Sequence, residues 1–158
     1  MTADGTPQVW KNSLCMPSQA TYEDVNLVLR LYELRREETL RNARAWFTAN
    51  FRPKSLDEFN KLCPAGSQEN AYFRMVTSYW DMVASFVTSN VLNKDLFFES
   101  GGELLIAWLR LKPFVAELRD SRSNPAAYRN LETVATDYAA HMNQKAPGAY
   151  EAFAKRVG

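Results

Sequence analysis

Residues 71–92 read AYFRMVTSYWDMVASFVTSNVL, and this stretch decides the predicted fold. It holds only two charged side chains, Arg74 and Asp81. A helix that is apolar on most sides needs neighbours on several faces, which places it at the centre of a helical bundle. Because Ser67 is suited to the N-cap, we predict a central helix over about residues 68–92.

A second long helix is predicted over about residues 21–50. Thr21 is suited to its N-cap, and acidic residues follow in the first turn, where the helix dipole favours them. The segment VNLVLRLYEL, residues 25–34, is apolar on nearly every side. Charged residues at steps of three and four then indicate a solvated stripe, and Pro53 ends the helix.

The segment FFESGGELLIAWLRLKP, residues 97–113, predicts a corner followed by a bent helix. A phosphate-binding loop would place the glycine pair between a strand and a helix, whereas a short helix is expected here. Ser100 and Glu103 have the spacing of a capping box, and we expect one glycine to be left-handed. We therefore favour a corner over a ligand loop or a hinge, and a helix over about 103–122 that Pro113 kinks.

Three shorter helices complete the prediction. Ser55 and Glu58 form a capping box at the start of one. The SNP segment at 123–125 offers a polar cap and a proline at the first position of another, and a last amphipathic helix follows residues 147–148. No segment alternates with period two. The predicted fold class is therefore all-α, a single-domain bundle of about six helices over residues 21–158.

The composition indicates an ordinary folded chain of 158 residues, 46% hydrophobic and 23% charged. The net charge is +1 and no cationic run could neutralise successive phosphates, so we expect no nucleic-acid binding. Residues 1–20, with Gly, Pro and small polar residues, predict an irregular N-terminal arm without the pattern of a signal peptide. No stretch approaches ~18 consecutive apolar residues. We expect a cytoplasmic protein without a membrane span.

Residues suited to metal binding or catalysis are sparse. Cys15 and Cys63 lie far apart without C-x-x-C spacing, and the single histidine, His141, is distant from both. This spacing predicts no metal site and free thiols. Asp137, one turn before His141, could orient it as a base, but no nucleophile motif accompanies the pair. We expect neither an enzyme nor a cofactor.

A thin polar stripe on the central helix is the candidate small-molecule site. Asp81 follows Arg74 by two turns on the same side, and small hydroxyl residues extend the stripe. The stripe could line a pocket for a small molecule or a lipid, or it could be a structural salt bridge or a solvent-facing strip. The aromatic residues Trp46, Trp80 and Trp108 are best explained as core anchors. The candidate ligand-binding residues are Arg74, Ser78, Asp81, Ser85 and Trp80.

The apolar start of the first helix favours a protein-interaction function. Its apolar residues cannot all face one neighbouring helix, so either the bundle wraps two sides of it or a second chain covers one. We predict a non-enzymatic domain that acts through protein contacts, either as a homodimer or with another protein. The candidate interface residues are Leu27, Leu31 and Leu34.

Residues 79–138 resemble a bacterial all-helical family catalogued as domain-of-unknown-function family 4760. The similarity lies in the order of the pieces: an apolar helix, a short linker with Leu92 and Asp95, an aromatic pair, a helix bearing Trp108, and the segments LKPFVAELR and NPAAYRNLE. Many members of that family carry an N-terminal membrane-spanning helix, which has no counterpart in this sequence. The resemblance implies an all-α fold and brings no activity or catalytic residue with it.

Overall fold

A computed structural model describes residues 19–158, and over these residues the chain forms nine α-helices and no strand. The all-α prediction is confirmed. The arm predicted for residues 1–20 lies outside the described residues except for its last two, and so does Cys15. In chain order the helices are α1 (Tyr22–Arg36), α2 (Glu38–Asn50), α3 (Leu56–Leu62), α4 (Gln68–Thr88), α5 (Lys94–Phe98), α6 (Gly102–Leu111), α7 (Val115–Ser121), α8 (Arg129–Lys145) and α9 (Ala149–Val157).

The α4 helix is central, as its apolar sequence predicts. It packs most extensively against α8 on one side and α2 on another, and Phe73, Trp80 and Val83 on it are fully buried. Ser67 caps it by accepting a hydrogen bond from the backbone N–H of Asn70 at 3.1 Å. The helix ends at Thr88 instead of near residue 92, because Asn90 adopts a left-handed φ of 56°.

The single helix predicted over residues 21–50 is corrected to two helices, α1 and α2. Glu37 interrupts it with φ −55° and ψ 137°. Its carboxylate accepts hydrogen bonds from the backbone N–H groups of Thr39 and Leu40, at 3.0 and 2.9 Å, and so caps α2. Two satisfied N–H groups at a new helix start compensate for the interrupted helical ladder.

The helix start predicted at residues 123–125 is too early, because α8 begins after Tyr128. The Asn124 side chain instead closes a local turn by accepting from the backbone N–H two residues later, at 3.1 Å. Tyr128 then has a left-handed φ of 59°, and its hydroxyl lies 3.3 Å from Thr77 Oγ1 on α4. This contact fixes the turn before α8 against α4.

The corner between α5 and α6 is confirmed, but the predicted capping box is wrong. Gly101 occupies the N-cap position of α6, and no side chain makes a cap hydrogen bond there. Glu103 instead forms a two-bond ion pair with Arg44 on α2, at 2.6 and 2.5 Å. Pro113 interrupts the helix predicted over about 103–122, but the result is two helices rather than one kinked helix, since α6 ends before it and α7 begins after it.

A buried arginine on α6 joins the carboxyl ends of two other helices, and no sequence pattern indicated it. Arg110 is 4% exposed. Its guanidinium donates to the carbonyls of Phe51 at 2.6 Å and Thr48 at 3.4 Å, at the end of α2. It also donates to the carbonyl of Val157 at 2.9 and 3.1 Å, at the end of α9. The negative ends of two helix dipoles therefore stabilise this buried cation.

The two glycines of the corner should respond oppositely to alanine, although the left-handed φ predicted for one of them is wrong, since neither has a positive φ. A Cβ on Gly101 would lie 2.5 Å from the buried Phe97 ring, whereas the nearest atom to a Cβ on Gly102 is the Tyr138 hydroxyl at 3.9 Å. We expect Gly101→Ala to destabilise the fold by about 1–3 kcal/mol through overpacking. Gly102→Ala, in the first turn of α6, should stabilise it by about 0.5 kcal/mol.

Urea denaturation of the two variants measures both effects. Equal stabilities for the two alanine variants would contradict the contact between Gly101 and Phe97 as the reason for a glycine at this corner.

Candidate interaction surface and adjoining cleft

One side of α1 presents a row of exposed apolar side chains, which we call the α1 stripe. Its members follow one another at steps of three, four and three residues, so they lie on one face of the helix. They are Tyr22, Val25, Leu29 and Tyr32, which are 76%, 41%, 56% and 52% exposed. Large apolar residues at this spacing, without cover from their own chain, are typical of a docking surface.

The opposite side of α1 is fixed to the bundle. Leu31 is 6% exposed, and its carbonyl accepts a hydrogen bond from the Tyr79 hydroxyl at 2.7 Å. Burial raises the pKa of Tyr79 to about 12, so the hydroxyl keeps its proton for this bond. Of the predicted interface residues, Leu31 is therefore part of the core and Leu27 packs partly against it. Leu34 is 42% exposed but lies on a different face of the helix from the stripe.

Both ends of α1 are held by hydrogen bonds. At its start, the Asp24 carboxylate accepts from the Thr21 N–H at 2.8 Å and from the Asn93 N–H at 2.7 Å, which ties α1 to α5. Both N–H groups lower the pKa of Asp24, and the Thr21 N–H has the larger effect. At its end, Arg44 donates to the Arg35 carbonyl at 2.9 Å while holding Glu103. The α1 stripe is therefore presented on a fixed helix.

A small cleft lies beside the stripe, between α1, α4 and α5. It encloses a cavity of about 30 Å³, and its wall is mainly apolar. The Arg35 guanidinium stacks over the rings of Tyr32 and Trp80, 5.1 and 5.4 Å from their centres. Its Nε and the Nε1 of Trp80 are buried and have no hydrogen-bond partner among the described residues. The lining residues are Val28, Leu31, Tyr32, Arg35, Tyr79, Trp80, Val83, Phe97 and Ser100.

The polar stripe predicted on α4 does not form one pocket. Arg74 is exposed and lines a surface depression with Ser78 and Tyr128, and within the described chain no hydrogen bond or ion pair joins it to Asp81. The Ser78 and Ser85 hydroxyls donate to carbonyls of their own helix. Trp80 lies on another side of α4, in the cleft beside α1. The five predicted ligand-binding residues therefore do not converge.

Asp81 has a structural partner that the sequence did not reveal. Its Oδ1 accepts a hydrogen bond from the backbone N–H of Leu131 at 3.0 Å, in the first turn of α8. Since the N-cap residue of α8 makes no side-chain cap bond, Asp81 caps this helix from α4. Burial raises the pKa of Asp81, while the Leu131 N–H and the charge of Arg119 oppose that rise.

The other chemically suggestive residues take separate partners. Asp137 pairs with Lys94 at 3.2 Å, and the His141 ring packs against Phe98 with ring centres 5.0 Å apart. Cys63 is buried, which raises the pKa of its thiol to about 11 and leaves it unreactive at neutral pH. In the part of the chain that the structure describes, no three potential metal ligands cluster. Over residues 19–158 no helix is long and apolar enough to cross a bilayer.

Two substitutions of Asp81 should distinguish the effect of its cap hydrogen bond on stability from the effect of its negative charge. Asp81→Ala removes the acceptor of the Leu131 N–H and should destabilise the fold by about 0.5–2 kcal/mol. Asp81→Asn keeps an acceptor oxygen without the partly buried charge. The pKa of Asp81 is higher in the folded protein than its unfolded value of about 3.9. As pH rises from below that unfolded value through the folded pKa, the wild-type protein should therefore lose stability relative to Asp81→Asn.

Denaturant unfolding of both variants across this acid range, and at neutral pH, measures the difference directly. An Asn variant that loses stability relative to wild type as pH rises would show that the ionised carboxylate is favourable at this position.

One comparison with known proteins identifies a family. The model of a family described as a domain of unknown function (DUF4760) matches residues 20–138, which run from just before α1 into α8 and include the α1 stripe and the cleft. No curated protein and no solved structure matches the chain. The family match extends the similarity recognised over residues 79–138 to most of the bundle. The chain belongs to the DUF4760 family.

Proposed function

We propose that this protein is a non-enzymatic helical domain that self-associates, with α1 of one copy packed against α1 of a second copy. The observation that carries the proposal is the α1 stripe, in which four large apolar side chains are each at least 41% exposed. Covering such side chains contributes roughly 25 cal/mol for each Å² removed from water. A partner that supplies a matching apolar helix face would therefore gain most from this surface.

An antiparallel second copy fits the residues that lie on the stripe face. Arg36 follows Leu29 by two turns on that face, so reversing a second α1 places it opposite Tyr22 of the partner subunit. The helix dipoles of an antiparallel pair also oppose each other favourably. A twofold axis at Leu29 would use the same surface on both chains, which is the commonest arrangement in soluble oligomers.

In this arrangement an aromatic ring and a cation meet at each end of the contact. Tyr22 would lie opposite Arg36 of the partner subunit, where a cation–π contact can form. Arg36 already lies 5.8 Å from the centre of the Tyr32 ring within one chain, so its guanidinium is positioned at the edge of the stripe. Rim contacts of this kind set register and orientation, while the apolar centre provides most of the affinity.

A binding module rather than an enzyme is the function that we propose for the domain. In support of this, Asp137 and His141, the pair considered for base catalysis, engage different partners on α5. Arg74 and Asp81, the centre of the alternative small-molecule site, also point to different surroundings. The cytoplasmic location stays a prediction from the sequence.

A charge at the centre of the stripe should abolish self-association. We expect the wild-type protein to show a concentration-dependent dimer at tens of micromolar, and Leu29→Glu to weaken it at least about tenfold, because two unpaired carboxylates would meet at the axis. Since Leu29 is exposed, the variant should keep the stability of the wild type. Sedimentation equilibrium measures the association, and thermal unfolding checks the fold.

The matched control is Thr133→Glu, which makes the same charge change on the exposed face of α8. It should leave the dimer intact. A wild-type protein that stays monomeric up to hundreds of micromolar, or equal association of the two variants, would contradict the proposed interface.

A further inference from the structure

We infer that a surface depression beside the start of α8 binds a small aromatic carboxylate. The depression has a volume of about 450 Å³ and lies between the outer face of α4 and the turn that precedes α8. Its lining residues are Ala71, Arg74, Met75, Ser78 and Tyr128. None of them belongs to α1, so this binding function is separate from self-association.

The positive charge of the site is accessible and has no counter-charge from the chain. Arg74 is exposed, so a ligand can reach its guanidinium. Within residues 19–158 no hydrogen bond, ion pair or aromatic ring engages Arg74, and no Asp or Glu lines the depression. The N–H groups of a guanidinium form a planar fork that can bind both oxygens of a carboxylate. With one cation in its lining, the site suits a singly charged acid.

A tyrosine ring forms a fixed wall of the depression. Tyr128 has a left-handed φ of 59°, which is a strained conformation for a bulky residue and one that glycine adopts freely. Since the Thr77 hydroxyl donates to the Phe73 carbonyl at 2.8 Å, the Tyr128 hydroxyl is the donor in its 3.3 Å contact with Thr77. The ring is thus held at both ends. Strained residues of this kind are concentrated at ligand sites, where a particular side chain is needed in place.

The wall favours a ligand with an aromatic body. A fixed ring beside an open depression can take a second ring against its face or edge, and such a contact adds to the gain from the buried area. Met75, also in the lining, supplies a thioether, which makes favourable contacts with aromatic rings. The Ser78 hydroxyl donates to the Met75 carbonyl only at the long distance of 3.4 Å, so it can turn to a carboxylate oxygen instead.

The size of the depression suits one ring with a short acidic chain. Small-molecule sites have volumes of roughly 300–1,000 Å³, and 450 Å³ lies in the lower part of that range. Because Arg74 and Ser78 are exposed, the ligand is only partly buried, and we expect a dissociation constant of about 1 mM or lower for 3-phenylpropionate. Of the residues that the sequence indicated as ligand-binding, Arg74 and Ser78 share this depression, and Asp81 does not line it.

Titration with 3-phenylpropionate tests the site directly. In a ¹⁵N-labelled sample, we expect saturable shifts of the Arg74 Nε–H signal and of the backbone amides of residues 71–78, with little change along α1. The Arg74 signal is identified by its loss in Arg74→Gln. 3-Phenylpropanol and 3-phenylpropylamine, which have the same body without the carboxylate, should produce no such shifts. 3-Cyclohexylpropionate should bind about threefold more weakly or less, because it lacks the aromatic contact.

Three arginine variants test the role of the cation. Arg74→Gln should weaken binding of 3-phenylpropionate by about tenfold or more, the usual effect of losing a hydrogen bond to a charged group. Arg74→Lys keeps the charge without the planar fork and should weaken binding less. Arg122→Gln makes the same charge change at an exposed arginine outside the depression and should leave binding unchanged. Since both arginines are exposed, all three variants should fold as the wild type does.

The titration is repeated with Leu29→Glu, which should give the same affinity and so separates this site from the dimer. Three results would overturn the inference: no saturable shift with 3-phenylpropionate, an equal shift with 3-phenylpropanol, or equal affinity in Arg74→Gln and Arg122→Gln. Equal affinity for 3-phenylpropionate and 3-cyclohexylpropionate would overturn the assignment of an aromatic ligand.

Discussion

Every helix leaves backbone N–H groups at its start and carbonyls at its end without partners inside the helix, and a bundle of short helices has many such ends. In this protein, charged side chains from other helices satisfy several of them. Arg110 on α6 serves the carboxyl ends of α2 and α9, and Asp81 on α4 serves the start of α8. Arg44 on α2 joins the end of α1 to Glu103 in the first turn of α6. These links hold the short helices around α4.

The same constraint shapes the candidate sites. Asp24 and Arg44 fix the two ends of α1, so the stripe on its outer side is presented without a conformational change. Not every buried polar atom finds such a partner: Arg35 Nε, Trp80 Nε1 and His141 Nε2 have none among the described residues.

Local sequence patterns predicted the parts of the fold that local interactions determine. The caps at Thr21, Ser55 and Ser67 and the break at Pro113 depend on residues within one turn, and the structure has all four. The apolar excess of α4 also placed it correctly at the centre. The break at Glu37 was missed because its charge and spacing suited a helix interior. The delayed start of α8, the pairing of Glu103 and the role of Asp81 depend on residues far away in sequence. For the same reason, the sequence indicated that α1 has more apolar surface than one neighbouring helix can cover, but it did not show that Leu31 lies in the core instead of at an interface.

Intermolecular paramagnetic relaxation can show whether α1 of one copy lies against α1 of another. A nitroxide is attached through Asn26→Cys, an exposed position beside the stripe, in a chain whose Cys15 and Cys63 have been replaced. This chain is mixed with ¹⁵N-labelled protein that carries no nitroxide. We expect signal loss in the labelled chain to be concentrated in the amides of α1. Signal loss centred on another helix, or none at concentrations where the protein is dimeric, would contradict it.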